Sequence, residues 1–182
     1  MKIYLETTRM MFREFTSDDA DLLVDLDSDP LVTKYINGGK PTPKKHVVER
    51  VIPRLLHYNT RDDGLGLWAA LHKTDLEFMG WFHFRPFQPM PEQIELGYRL
   101  KRKFWGEGYA TEGSEALIQK GFDTLGVTRV VAITDPENIG SRRVMEKVGL
   151  RFEGNHVEAD GFVCVKYGLE RSDYQKKIQT SK

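Results

Sequence analysis

The stretch that most restricts the fold runs from "QIELGYRL" through "KFWGEGYATEG" to "RVVAIT", residues 93 to 134. Its first segment alternates as a strand does: Ile94, Leu96, Tyr98 and Leu100 share one face, and Glu95, Gly97 and Arg99 share the other. Gly106 and Gly108 then break the chain. "YATEGSEALIQKGFDTL" has the pattern of a helix stopped by Gly126, and the β-branched run "RVVAIT" reads as a short buried strand. Strand, helix and strand in this order form a βαβ unit, so the sheet must contain a parallel pair.

The flanking segments make that sheet mixed. "LETTRMMFREF" reads as extended, and "TSDDADLLVDLDSDP" as a helix capped by Ser17 or Asp18 and ended by Pro30. After "GGKPTP", "KKHVVERVIPRLLHYN" reads as a second helix in which Pro53 starts a new turn or a kink. "LWAALHK" and "FMGWFHFRPF" are strand-like, "NIGSRRVMEKVG" is a helix, and "RFEGNHVE" with "FVCVKYGLE" makes a closing hairpin around "ADG". No repeat or long linker divides the 182 residues, so a single domain over 1–182 is expected.

A strand, a Gly-x-Gly turn and a helix N-terminus together form an anion site. The first amides of a helix lack intrahelical partners, and the helix dipole adds partial positive charge at the same end. Gly106 and Gly108 lack Cβ atoms, so a diphosphate can approach the main chain there, with Lys101, Arg102 and Lys103 just before the turn. A P-loop is excluded because no Gly-Lys-Ser/Thr follows. A dinucleotide fingerprint needs a further glycine where Thr111 stands. An ordinary surface turn between strand and helix would also fit these two glycines.

A second constellation adds weight. "TDPENIGSRRVMEKVGL" puts Asn138 after the next parallel strand and Ser141 about one helical turn later, at the carboxyl edge where open α/β sheets bind ligands. With "KFWGEGYATEG", "NIGSRRVMEKVGLRFEG", "LETTRMMFREFTSDDADLLVDL" and "VCVKYGLER", the chain resembles the GNAT superfamily of N-acetyltransferases over roughly residues 5 to 171. More narrowly, it is similar to the branch typified by the ribosomal-protein N-terminal acetyltransferases. The resemblance implies a mixed, mostly antiparallel seven-stranded sheet with a central splayed parallel pair, flanked by about four helices.

It also implies acetyl-CoA as donor. Lys103, Gly106 and Gly108 occupy the family's loop positions, with Lys103 departing from the usual Gln or Arg. Amides of Trp105, Gly106, Glu107, Gly108, Tyr109 and Ala110 are then expected on the diphosphate, and Arg102 or Lys103 on the 3′-phosphate. A backbone N–H near Leu100 would hold the oxyanion. Asn138 matches a pantetheine contact and is equally suited to cap the helix that follows. Ser141 matches the hydroxyl that protonates the departing thiolate; a solvent-facing helix serine is the plainer alternative. No covalent acetyl-enzyme is required, and Cys164 reads as a core residue.

The acceptor must be a primary amine, which has to lose a proton before it attacks. A protein α-amine, with a pKa of ~7.7–8.0, is about one-tenth neutral at pH 7, whereas a lysine amine at ~10.4 is neutral about once in a few thousand molecules. Glu95 is the first candidate base, with Asp135 and Glu137 weaker ones in a turn-like "TDPEN". Tyr35, Trp81, Phe84 and Tyr98, with Trp68, are candidates to line the acceptor mouth, although aromatics at strand spacing also suit a core. Acceptors to weigh are a protein or peptide N-terminus and amine-bearing small molecules.

Charge and cysteine content limit the alternatives. Lys plus Arg and Asp plus Glu each number 27, so no global field favours nucleic acid or an anionic membrane. No apolar run approaches the ~20 residues of a membrane helix. The start carries charges throughout, and the single cysteine suits a reducing compartment, so a cytoplasmic monomer or homodimer is expected. The five histidines show no metal-ligand spacing, which predicts no metal. The alternative from another class is a non-catalytic acyl-CoA-binding sensor or regulatory module.

Overall fold

The computed structural model of the protein describes residues 2–180. Its eight strands are β1 (Ile3–Glu6), β2 (Met10–Arg13), β3 (Gly66–His72), β4 (Phe78–Pro86), β5 (Ile94–Leu100), β6 (Arg129–Thr134), β7 (Arg151–Val157) and β8 (Val163–Glu170). They form one sheet in the order β1-β2-β3-β4-β5-β6-β8-β7. The strand pairs recorded are antiparallel except β5 with β6, which is the mixed GNAT-type architecture expected. The count is eight rather than seven because the N-terminal extended segment is itself a hairpin. Its turn carries no Gly or Pro; the Thr7 hydroxyl accepts from the Met10 amide at 2.9 Å and closes it.

The chain groups into two compact units, one comprising residues up to His83 with Tyr98–Gly113, the other Phe84–Gly97 with Ser114 onward. In the first, α1 (Ala20–Ser28) follows a 3₁₀ turn whose cap is Thr16, with Asp19 completing a capping box, rather than Ser17 or Asp18. Pro30 ends α1 but also opens α2 (Pro30–Asn37), which the sequence reading missed. Proline suits the first helical position, Asp29 Oδ1 accepts from the Leu31 amide at 2.9 Å, and Gly38 closes the helix at φ 74°. α3 (Lys44–His46), a π-helical stretch (Val47–Val51) and α4 (Ile52–Tyr58) run on without a break. The wider turn, in which Ile52 N–H reaches Val47 C=O, precedes Pro53, which supplies no N–H and crowds an ordinary α-turn. Phe15, Leu23, Leu26, Val32, Val47, Ile52 and Leu55 pack on Leu67, Ala69 and Leu71 of β3 as one core.

Gly80 in β4 sits at φ 141°, and a Cβ there would lie 2.0 Å from the Arg99 carbonyl oxygen. Only glycine lets β4 come this close to the end of β5, where Lys101 N–H then bonds Met79 C=O at 2.8 Å. The first turns of α5 (Tyr109–Asp123) lie equally close to the sheet: a Cβ on Gly113 would sit 2.5 Å from the Phe82 ring, which stacks on Phe12.

In the second unit, Gly121 of α5 abuts Phe84, and β6, β8 and β7 pair antiparallel. The parallel ladder joins Ile94 with Val130 and Glu95 with Val131. It does not continue to Leu96 and Gly97 among the described residues, so β5 and β6 part company early. Two further helices complete the unit: α6 (Ile139–Lys147) and α7 (Arg171–Thr180). α7 was unforeseen, and taking α3 to α4 as one rod the helices number about six rather than four.

Gly80→Ala is expected to lower stability by about 2 kcal/mol or more, since both the backbone angle and the contact with Arg99 must give way. Gly140→Ala, in a helix with its nearest neighbour at 3.7 Å, should be neutral or stabilising by up to ~1 kcal/mol. Thermal melts of the two variants check the contrast.

Candidate active site

The loop before α5 turns on two positive angles, φ 79° at Gly106 and 83° at Gly108, which explains the paired glycines directly. Nothing lies within 4 Å of where a Cβ on Gly106 would be, so the space above it is open. Glu112 N–H donates to Gly108 C=O at 3.0 Å, starting the helix. Among the described residues, no group accepts from the amides of Gly106, Glu107, Gly108, Tyr109 and Ala110. Trp105 differs. Its amide donates to Arg102 C=O at 3.0 Å and its indole to Leu100 C=O at 2.8 Å, so it braces the turn and the expected cradle begins one residue later. An open row of N–H groups on a helix N-terminus, with no side chain filling it, fits a diphosphate.

The cations expected on the 3′-phosphate are engaged elsewhere. Arg102 pairs with Asp29 at 3.0 Å, Lys103 pairs with Glu77, and Lys101 pairs with Asp25 at 2.6 Å. Arg102 and Lys103 are mostly exposed, so these pairs are weak and either could release its partner for a phosphate at small cost. Lys101 N–H is committed to Met79, so an oxyanion donor in this strand must lie at Leu100 or before it.

Arg9 and Glu112 were not found in the sequence, where 103 positions separate them. The Glu112 carboxylate accepts from the Thr7 hydroxyl at 2.6 Å, the Arg9 amide at 2.9 Å and Arg9 Nε at 2.7 Å. Burial works against its charge, but these donors outweigh burial and hold its carboxyl below the usual glutamate range. Arg9 Nη1 then donates to Glu107 C=O at 3.0 Å, and the guanidinium stacks 4.1 Å from the Tyr109 ring centre.

Of the proposed acceptor residues, Tyr35, Trp81 and Tyr98 are partly exposed in the first unit. Arg99 lies over Trp81 and binds Asp27 at 2.5 Å, and Asp27 also accepts from Thr42 at 2.7 Å, so a charged pair stands beside one of these aromatics. Phe84 is fully buried against Gly121, and Trp68 is buried and stacked on Tyr4, so both sit in the core.

In the second unit, Asn138 caps α6 through Oδ1, which accepts from the Ser141 amide at 3.1 Å. The Ser141 hydroxyl is partly exposed and pairs with no described protein group. Glu95 is 9% exposed, and Arg85 donates to its Oε2 at 2.9 and 3.1 Å. Asp135 accepts from the Glu137 amide at 2.8 Å as a turn former. Cys164 is buried on β8, where burial, then the charges of Glu158, Asp135, Asp160 and Glu95, push its thiol up to about 11. Among the described residues no group of three or more His, Cys, Asp or Glu is placed to hold a metal ion, and no helix is long and apolar enough to cross a membrane.

Residues 9–151 match the family model of the acetyltransferase (GNAT) domain. The chain belongs to the GNAT family.

Known relatives agree. This GNAT acetyltransferase is 30% identical over 161 residues to the FsC-acetyl coenzyme A-N(2)-transacetylase of Aspergillus fumigatus, covering 85% of this chain and 66% of that one. It is 31% identical over 151 residues to an uncharacterized N-acetyltransferase, p20, of Bacillus licheniformis, covering 82% and 83%. Its fold matches a solved RimL ribosomal L7/L12 alpha-N-protein acetyltransferase in complex with coenzyme A, with TM-score 0.77 at 17% identity, covering 94% and 99%. The protein is an acetyl-CoA-dependent N-acetyltransferase.

A buried thiol with a raised pKa is a poor nucleophile. Native protein at pH 8 should resist iodoacetamide at Cys164, denatured protein should label readily, and Cys164→Ala should keep full turnover. Mass spectrometry and a thiol-release assay check these outcomes.

Proposed function

We propose that residues 1–182 act as one acetyltransferase domain that modifies the α-amine of a protein or peptide. The observation that carries this reading is the pairing of Glu95 with Arg85. A carboxylate already bonded to a guanidinium must loosen that bond to accept a proton, which makes it a weak general base. An α-amine tolerates this because about one-tenth is neutral at pH 7. A lysine amine or a polyamine, neutral about once in a few thousand molecules, would need more help.

Bound acetyl-CoA supplies a thioester carbonyl. The amides of Gly106–Ala110 hold the diphosphate, and Asn138, whose Oδ1 is spent on its cap, offers its NH₂ group to the pantetheine arm. The Ser141 hydroxyl donates its proton to the sulfur as the new N–C bond replaces the C–S bond, and regains one from water. Glu95 with Arg85 orders the water that takes the proton of the attacking amine. The unpaired, partly exposed Ser141 hydroxyl supports its role.

The test is free-thiol release with four acceptors at pH 7: a peptide with a free N-terminus, its Nα-blocked twin carrying an internal lysine, spermidine and an aminoglycoside. The free peptide should stimulate release and its blocked twin should not. Faster release with spermidine or the aminoglycoside would transfer the assignment to small-molecule amines. Ser141→Ala should lower kcat by about 100-fold with coenzyme A affinity unchanged. Equal loss of both would make the serine structural.

A further inference from the structure

We propose that Arg9, in the turn just before β2, is the cation that meets the donor's diphosphate. The proposal rests on reading Gly106–Ala110 as the cradle. Three observations converge on it, all within the first unit. Arg9 is bonded to the loop itself, because Nη1 donates to the Glu107 carbonyl between the two positive-φ glycines. Its Nε is fixed by Glu112, on the first turn of the helix whose amides form the rest of the cradle. Its Nη2 has no acceptor among the described residues and lies 3.5 Å from where a Cβ on Gly108 would be.

A guanidinium has five donors in a rigid fork. With Nε and one Nη1 hydrogen used, the Nη2 edge remains for an oxygen arriving over Gly108. The rigidity of the mount matters as much as the charge. Glu112 accepts from Thr7 and from the Arg9 amide as well as from Nε, and the guanidinium lies over the Tyr109 ring. Arg9 therefore needs little further ordering to meet a phosphate, whereas Arg102 and Lys103 must first leave Asp29 and Glu77. The same contacts make Arg9 a positioning residue, since the bond to Glu107 C=O sets the direction in which the following amides point.

The experiment measures dissociation constants of coenzyme A, 3′-dephospho-coenzyme A and pantetheine, and turnover of S-acetylpantetheine. It uses the full-length protein and its Arg9→Gln and Arg9→Lys variants, with melting temperatures as folding controls. Arg9→Gln should weaken coenzyme A and dephospho-coenzyme A alike by about 10- to 100-fold and leave pantetheine and S-acetylpantetheine unaffected. Arg9→Lys, with charge but no fork, should fall between. A loss that vanishes with dephospho-coenzyme A would overturn the proposal in favour of the 3′-phosphate. An equal loss with phosphate-free ligands would reduce Arg9 to a structural role. If the unaltered protein bound pantetheine as tightly as coenzyme A, the cradle itself would be misread.

Discussion

Unsatisfied backbone amides decide this structure. Leaving several N–H groups of one turn without a protein partner forgoes hydrogen bonds worth about 1 kcal/mol each, unless water or a ligand supplies them. The loop from Gly106 to Ala110 keeps such a row open. It stays open where both glycines hold φ values near 80° and α5 begins at once behind them. Side chains at these two positions would strain the turn; the space above Gly106 is free for a ligand.

An open turn needs support from below, and the first unit supplies it at several points. Trp105 ties the turn to Leu100 through its indole. Gly113 lets α5 rest on Phe82, and Gly80 lets β4 press against the Arg99 carbonyl. The hairpin of β1 and β2 adds the polar brace: Thr7 and Arg9 hold the Glu112 carboxylate, and Arg9 holds the Glu107 carbonyl. Charge-assisted bonds of this kind, partly buried or at the surface, gain their strength from geometry, because each donor is fixed before a ligand arrives. In the second unit, Asn138 spends one side-chain atom on a cap, Ser141 leaves its hydroxyl free, and Glu95 is tied to Arg85.

Several features were legible without coordinates because they depend on near neighbours in the chain. The alternation of Ile94 to Leu100, the turn at Gly106 and Gly108, the cap at Asn138 and the closing hairpin all follow from local periodicity or local backbone geometry. Misreadings came where one residue type has two uses. Pro30 stops one helix and starts the next, and Thr7 closes a hairpin with no glycine to announce it. Phe84 was open to either reading, acceptor lining or core, because an aromatic at strand spacing has no local mark of which layer covers it; the structure buries it.

The sequence by itself determined the parallel pair, the glycine turn at the head of α5 and the family, because short-range patterning and a handful of spaced motifs carry that information. Only the tertiary structure decided which charges are spent. It ties Arg102 and Lys103 to acidic neighbours, closes Glu95 onto Arg85 and brings Arg9 to a loop 98 residues away. Ion pairs and hydrogen bonds act over a few ångströms of space, and the chain distance between partners leaves no periodic trace of them.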